Sequence, residues 1–184
     1  MITKFDCNTG AVLLAIIVIL STSSPAEISK KCGVEQLPAK ARALLLTKFP
    51  EWHIVETKDL LGDDRNIWIK AHHDACPGIA KGNFEGGQPT YAVSLIRRKA
   101  NRLWQALVVL SDKDQVFVAR VLDPPSEVAR PLVISRLPPG KYSSAEGDTI
   151  AAAKFDVIQE EAIEAGATVF YWKNGEFHRI VVSE

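Results

Sequence analysis

The sequence has no excess of charge of either sign. Lys and Arg together number 22, Asp and Glu together also number 22, and the formal net charge is zero. A protein that neutralises nucleic-acid phosphates needs a clustered basic surface. The densest basic cluster, residues 97–99 with Arg102 nearby, is short and falls in a predicted hairpin turn. We therefore expect no nucleic-acid partner.

Long hydrophobic runs are also missing. The main apolar stretch, residues 11–20, is shorter than the roughly 20 residues that a membrane-spanning helix needs. It suits the core of a signal peptide, and Ser24 and Ala26 are the small residues that a cleavage site requires. We predict a signal peptide over residues 1–26, whose removal leaves no stable membrane anchor. An uncleaved anchor and a buried core helix are the alternatives.

Residues 27–184 are the length of one domain, which is large enough to bury a core without metals or many crosslinks. We predict a single exported α+β domain that works in the periplasm or outside the cell.

Cysteine is scarce, with three residues in the chain. Cys7 leaves with the signal peptide, so the mature chain keeps Cys32 and Cys76, an even pair in an oxidising compartment. We predict a disulfide between them, closing a loop of about 45 residues and constraining the unfolded chain by roughly 4 kcal/mol on the chain-entropy model. The alternative makes Cys76 a nucleophile beside His72 and His73.

The familiar catalytic motifs are absent. The chain has no Gly-x-Ser-x-Gly elbow, phosphate loop or dinucleotide fingerprint. The paired carboxylates at residues 63–64 and 160–161 are adjacent, which is not the opposed geometry of glycoside hydrolysis. We therefore expect no catalytic residues and no cofactor.

The adjacent pair His72 and His73, with Asp74 and Cys76 close by, is the one group that suggests a metal. Neighbouring side chains on a strand point to opposite faces, and the ligand spacing of a zinc site is missing. We expect no metal here, and an exposed turn next to the disulfide. A small secreted hydrolase with its site near these residues is the alternative function.

One helix begins the fold. Over residues 38–48 the apolar residues Ala41, Leu44 and Leu45, with Leu37 before them, form a single stripe. Pro38 suits the first helical turn and Pro50 ends the helix. Residues 52–56 and 66–70 then predict two short strands, with a turn at residues 62–64.

The central section predicts three strands, because residues 90–97, 103–110 and 115–122 are rich in β-branched and aromatic side chains. The connections are too short for parallel crossovers, so the strands must form an antiparallel meander. This excludes a nucleotide-binding βαβ fold.

The chain after the meander combines a break with a clear hairpin. Pro124-Pro125 and residues 137–140 predict a long irregular connection over residues 123–144, either a functional loop or a cover over a sheet edge. Residues 168–172 and 177–182 flank Asn174-Gly175, the favoured type I′ turn. Residues 155–165 could form a helix, but we favour a strand that turns at Ala165-Gly166.

These elements predict an α+β fold. It consists of a mainly antiparallel sheet, made of the meander and the C-terminal hairpin, with an N-terminal helix packed on it.

Residues 77–93 resemble the FG-GAP-type loop of integrin-like propeller repeats and of many secreted bacterial proteins. In that family a Gly-Asp-Phe-Asn-Gly-Asp-Gly run wraps a calcium ion and leads into a strand. Gly82 and Gly87 match the pattern, whereas Asn83 and Glu85 depart from it at ligand positions. The four residues outline a possible degenerate calcium-like loop. Since calcium needs six to eight oxygen ligands and Glu85 is the loop's sole carboxylate, we expect no bound metal.

The motif occurs once, so a multi-bladed propeller is excluded. The chain's last residues, 171–184, also resemble the tail of uncharacterised secreted bacterial proteins that carry one such loop. The resemblance implies an exported location and this architecture, and it assigns no activity to this chain.

We predict an exported non-catalytic module that binds a protein or a cell-envelope component, through a sheet face or the connection at residues 123–144. Large aromatic side chains mark an interface if they are exposed, and belong to the core if they are not. The candidates are Trp52, Trp68, Trp104, Tyr171 and Trp172.

Overall fold

The structure is a computed structural model that describes residues 32–73 and 75–183. The predicted signal peptide, residues 1–26, lies outside the described residues, as does Asp74.

The described chain has an α+β architecture, as predicted. It contains two α-helices, α1 (Ala39–Lys48) and α2 (Gly62–His72), and two short 3-10 helices, Val34–Gln36 and Thr57–Asp59. The strands are β1 (His53–Ile54), β2 (Ile79–Gly82), β3 (Thr90–Lys99), β4 (Arg102–Lys113), β5 (Val116–Val128), β6 (Val133–Leu137), β7 (Gly140–Ser143), β8 (Ile150–Ala153), β9 (Val157–Ala162), β10 (Gly166–Lys173) and β11 (Glu176–Ser183).

The helix α1 confirms the prediction for residues 38–48. Pro38 takes the N-cap position, where its missing amide costs nothing, and the Phe49 amide closes the last turn on the Leu45 carbonyl at 2.8 Å. Ala41 and Leu45 are buried one turn apart, which places the predicted stripe against the sheet.

The strand predicted over residues 66–70, with a turn at 62–64, is wrong, because α2 covers both segments. Asp63 and Asp64 lie in its first turn, where carboxylates favour a helix N-terminus. A strand would bury alternate residues. Instead the buried residues of α2 are Asp64 and Trp68, four residues apart, as the helical repeat requires. The Trp68 indole donates to the Ala75 carbonyl at 2.9 Å.

The predicted strand at residues 52–56 is confirmed in a shorter form. Its core is β1, which pairs antiparallel with β3 through His53 opposite Ile96.

The predicted meander is confirmed by the antiparallel pairing of β3 with β4 and of β4 with β5. We call the five-stranded sheet the central sheet; its order is β1-β3-β4-β5, and β2 also pairs with β3. Ala100 and Asn101 between β3 and β4, and Asp114 and Gln115 between β4 and β5, have positive φ. Two consecutive positive φ values are typical of type I′ turns, whose twist matches that of the strands.

The irregular connection predicted over residues 123–144 is wrong. β5 continues through Pro124-Pro125 to Val128, and β6 and β7 follow. Two features make this possible: β5 is an edge strand, and its pairing with β4 shifts register between Gln105 and Val108. Prolines are tolerated at sheet edges and bulges because no ladder amide is lost there.

A second sheet, the C-terminal sheet, has the order β11-β10-β9-β6, and β7 pairs with β8 in a separate hairpin. β9 confirms the strand favoured within residues 155–165. The β10–β11 hairpin is also confirmed, with φ of 55° at Asn174 and 88° at Gly175.

The strands β3 and β4 of the central sheet are buried on both faces. Val93, Leu95 and Val108 pack against the N-terminal segment and α1, whereas Ala92, Leu107 and Val109 pack against the C-terminal sheet. The β7–β8 hairpin covers the outer face of the C-terminal sheet through Ala151 and Ala153. The domain is therefore a stack of α1, two sheets and a hairpin.

The predicted disulfide is confirmed. Cys32 and Cys76 are bonded, with their Cα atoms 5.1 Å apart. Cys76 lies in the core beside Leu37 and Leu45, so the bond ties the segment before α1 to the segment before β2.

Removing this bond should destabilise the domain strongly. The double variant Cys32→Ala and Cys76→Ala should lose roughly 4 kcal/mol of unfolding free energy, since a crosslink of this span restricts the unfolded chain. Urea denaturation of the oxidised protein, the reduced protein and the variant measures the loss. Reductant should not change the unfolding free energy of the variant. Equal stability of all three samples would show that the disulfide does not stabilise the domain.

Candidate functional site

A groove runs between β8 and the end of β10. It encloses a volume of about 520 Å³, within the range of ligand sites. Its lining is aromatic, aliphatic and basic, and consists of Ile150, Ala151, Ala152, Lys154, Phe155, Tyr171, Trp172, Lys173 and Asn174.

The aromatic wall of the groove is held by cross-strand pairs of the β10–β11 hairpin. Tyr171 lies opposite His178, and their rings stack with centroids 5.6 Å apart. Trp172 lies opposite Phe177 in an edge-to-face contact at 4.9 Å. Such pairs stabilise a hairpin and restrict ring rotation. The hairpin therefore holds both rings in place, on opposite faces of β10: Tyr171 lies on the side of the β7–β8 hairpin, and Trp172 lies on the side of Arg120.

A cation of the central sheet contacts the Trp172 side of the hairpin. The Arg120 guanidinium lies 5.0 Å from the Trp172 ring centroid and 5.8 Å from that of Phe177. Arg120 also forms an ion pair with Glu85, whose carboxylate is bonded to Lys113 at 2.9 Å. These contacts link the Trp172 wall to the loop between β2 and β3.

The Glu85 carboxylate is ionised and satisfied by its neighbours. Its side chain is 4 % exposed, and this burial alone would raise its pKa. Hydrogen bonds from Lys113 and Ser111, together with the positive charge of Arg120, outweigh burial and hold the pKa of Glu85 below its ordinary value of 4.5.

The loop between β2 and β3 also holds Phe155 in the groove wall. The Asn83 amide donates to Asp156 Oδ2 at 2.8 Å, and the Asp156 amide donates to the Asn83 carbonyl at 3.1 Å. Gly86 has a φ of 80°, and a Cβ at this position would collide with the Phe155 ring. The glycine thus allows the loop to lie directly on the ring.

The residues of the predicted calcium-like loop therefore have structural partners. Gly82 ends β2, Asn83 is bonded to Asp156, Glu85 faces two cations, and Gly87 lies in the exposed turn before β3. In residues 32–73 and 75–183 no three His, Cys, Asp or Glu side chains are grouped to hold a metal. Thr90, which leads into β3, bonds the loop backbone at Gly82.

The structure places His72 in the last turn of α2 and His73 directly after it, where the sequence predicted an exposed turn next to the disulfide. His72 lies in the last turn of α2 and stacks on Trp68, with ring centroids 4.0 Å apart. His73 caps the helix with a φ of 51°, and its amide donates to the Ile69 carbonyl. The two histidines are thus held by helix packing and capping.

His72 borders two further cavities. One has a volume of about 190 Å³ and is also lined by Trp68, Glu161 and Glu164. The other has a volume of about 290 Å³ and lies against Cys76 and β6. The first brings an imidazole and two carboxylate residues to one cavity, a combination that acid–base chemistry can use.

Glu160 is a buried carboxyl group that the sequence argument considered only as the neighbour of Glu161. It is 5 % exposed, it lies on β9 opposite Thr168 and Ile134, and its Oε1 has no hydrogen-bond partner. Burial raises the pKa of Glu160 to about 7, the negative charge of Asp123 adds to the rise, and Arg179 opposes it. Only the fold places this carboxyl between two sheets.

The aromatic side chains divide between core and surface. Trp68 is buried, and Trp52, Trp104, Tyr171 and Trp172 are half-buried. Tyr171 and Trp172 are among the aromatic candidates that the sequence provides. Lys154, Phe155 and Ile150 are not, because no local pattern places residues 150–155 beside residues 171–174. Gly86-Gly87 was the one signal, since adjacent glycines indicate a close approach of backbone to another group.

Comparisons with protein-family models, with characterised proteins and with solved structures find no match for this chain. The resemblance to FG-GAP-type loops stays a prediction. Neither helix of the described chain has the length and apolar character to cross a membrane. The disulfide indicates an oxidising compartment.

Glu160 should make the domain less stable as pH rises. Its pKa is about 7 in the folded protein and near 4.5 when unfolded, so the folded state holds an extra proton between these values. Stability should therefore fall from about pH 4.5 to about pH 7, by roughly 3 kcal/mol. Glu160→Gln should flatten this dependence.

Urea denaturation of both proteins at about pH 4.5 and about pH 8 measures the effect, with Glu161→Gln as the matched control on the same strand. If the stability of the parent and of Glu160→Gln depends on pH in the same way, Glu160 is not the group responsible.

Proposed function

We propose that this chain is an exported, non-catalytic module of the periplasm or cell exterior that binds a protein partner of the cell envelope in the groove between β8 and β10. The disulfide supports an oxidising location. The predicted signal peptide agrees with it.

The observation that carries the proposal is the braced aromatic wall of the groove. Tyr171 and Trp172 are half-buried, and each has a cross-strand ring partner. Aromatic side chains that are already oriented lose little entropy on binding, and they are enriched among the residues that dominate binding energy. A concave wall of this kind is typical of a recognition site.

Photo-crosslinking should place a partner in this groove. A benzoylphenylalanine at Lys154, in the groove, should give a specific adduct in envelope extract, whereas one at Lys70, on exposed α2, should not. Trp172→Ala should reduce the yield about tenfold, since removing one anchor costs about 1–2 kcal/mol.

Trp104→Ala is the matched control, because Trp104 is another half-buried tryptophan and does not line the groove. It should leave the yield unchanged. Equal adducts from both crosslinker positions, or adduct formation insensitive to Trp172→Ala, would exclude the groove as the binding site.

A small secreted hydrolase is the second candidate, and the cavity shared by His72, Glu161 and Glu164 favours it. If it is correct, the mature protein should turn over at least one substrate in a panel of ester, peptide and glycoside probes. His72→Gln should then abolish turnover, and His178→Gln, outside this cavity, should not. Absence of turnover, with groove crosslinking intact, would support the binding module.

A further inference from the structure

One wall of the groove is the free edge of a strand. β8 pairs with β7 alone in the described part of the chain. The Ser144 amide donates to the Thr149 carbonyl at 2.8 Å and closes their hairpin. In an antiparallel pair, hydrogen-bonded and non-hydrogen-bonded residue pairs alternate. The register therefore makes Tyr142 with Ala151, and Gly140 with Ala153, the hydrogen-bonded pairs.

The remaining residues of β8 turn their backbone groups away from β7. Ile150 and Ala152 lie opposite Ser143 and Lys141 in non-hydrogen-bonded pairs, so their amides and carbonyls point to the open edge. Both residues line the groove, and Ile150 is 63 % exposed. The edge thus offers about four backbone hydrogen-bonding groups over a strand about 13 Å long.

An unpaired edge of this kind is a template for another strand. Proteins that bind peptides by strand addition obtain affinity from main-chain hydrogen bonds and specificity from neighbouring side-chain pockets. Here the neighbouring surface is Tyr171, which lies on the same side of β10 as the β7–β8 hairpin and can pack against apolar side chains of an added strand.

The charge of the groove has one sign. Lys154 and Lys173 are exposed, line the groove and form no ion pair within residues 32–73 and 75–183. The residues that line the groove include no Asp or Glu. Complementary charge selects partners and orients their approach, so the groove favours an acidic segment.

Building on the proposed function, we infer that the groove binds an extended, acidic segment of the partner protein, which adds as a strand to the free edge of β8. Backbone groups of Ile150 and Ala152 hold the segment, Tyr171 contacts its apolar side chains, and Lys154 and Lys173 pair with its carboxylates.

Defined peptides test the inference. The probe is a fluorescein-labelled synthetic peptide of alternating valine and glutamate, and fluorescence anisotropy measures its binding to the mature protein. Two further versions carry N-methyl groups on one or the other alternate set of amides. A strand donates to β8 with one set only, so one version should bind about tenfold more weakly and the other within about threefold of the parent.

Variants of the protein test the same edge. Ala152→Pro removes an outward amide without removing a β7–β8 hydrogen bond, and it should weaken peptide binding about tenfold. Ser143→Pro removes an outward amide from the opposite edge of the hairpin and should not. An unchanged thermal midpoint shows that each variant is folded.

Charge reversal tests the chemistry of the partner. The double variant Lys154→Glu and Lys173→Glu should prefer a valine–lysine peptide to the valine–glutamate peptide, and Lys141→Glu, outside the groove, should keep the parent's preference.

The two proposals fail differently. Groove crosslinking that persists while both N-methylated peptides bind like the parent, or while both lose binding equally, would overturn strand addition and keep the binding function. Loss of groove-specific crosslinking would overturn the binding function itself. Binding of the lysine peptide in preference to the glutamate peptide by the parent protein would overturn the acidic assignment.

Discussion

The structure depends on the burial of β3 and β4 on both faces. Their side chains pack against α1 on one side and against the C-terminal sheet on the other. Such strands cannot alternate between apolar and polar residues, so polar groups among them must be satisfied internally. Gln105 shows how this is achieved. Its side chain bonds Ser94 and both backbone groups of Leu132, which joins the chain before β6 to the central sheet.

Glu160, on β9 of the C-terminal sheet, departs from this pattern, because it is buried and its Oε1 has no hydrogen-bond partner. The fold keeps a carboxyl group between the sheets at the cost of a raised pKa. Glu85 represents the opposite solution, since two cations compensate its burial. One of these cations, Arg120, also contacts Trp172 and so connects the loop after β2 to the groove.

The sequence predicted the elements whose signals are local. The stripe of α1, the meander and the Asn174-Gly175 hairpin depend on residue type and spacing within short windows, and all three are present. The prediction was wrong where a distant partner decides the outcome. Residues 66–70 have the composition of a strand, but the core takes up Asp64 and Trp68, whose spacing of four residues a helix supplies. The sequence did not predict a strand through Pro124-Pro125, because prolines are tolerated within a strand only at a sheet edge or a bulge, and the sequence does not show that β5 is an edge strand.

The sequence by itself determined the fold class, the meander and the last hairpin, because each depends on local conformation, and it predicted the Cys32–Cys76 pairing, because these two cysteines remain once the predicted signal peptide is removed. Only the tertiary structure decided the groove, the environment of Glu160 and the position of His72 beside Glu161 and Glu164. These features join residues far apart in the chain. Their geometry follows from how layers pack, and no short window of sequence carries that information.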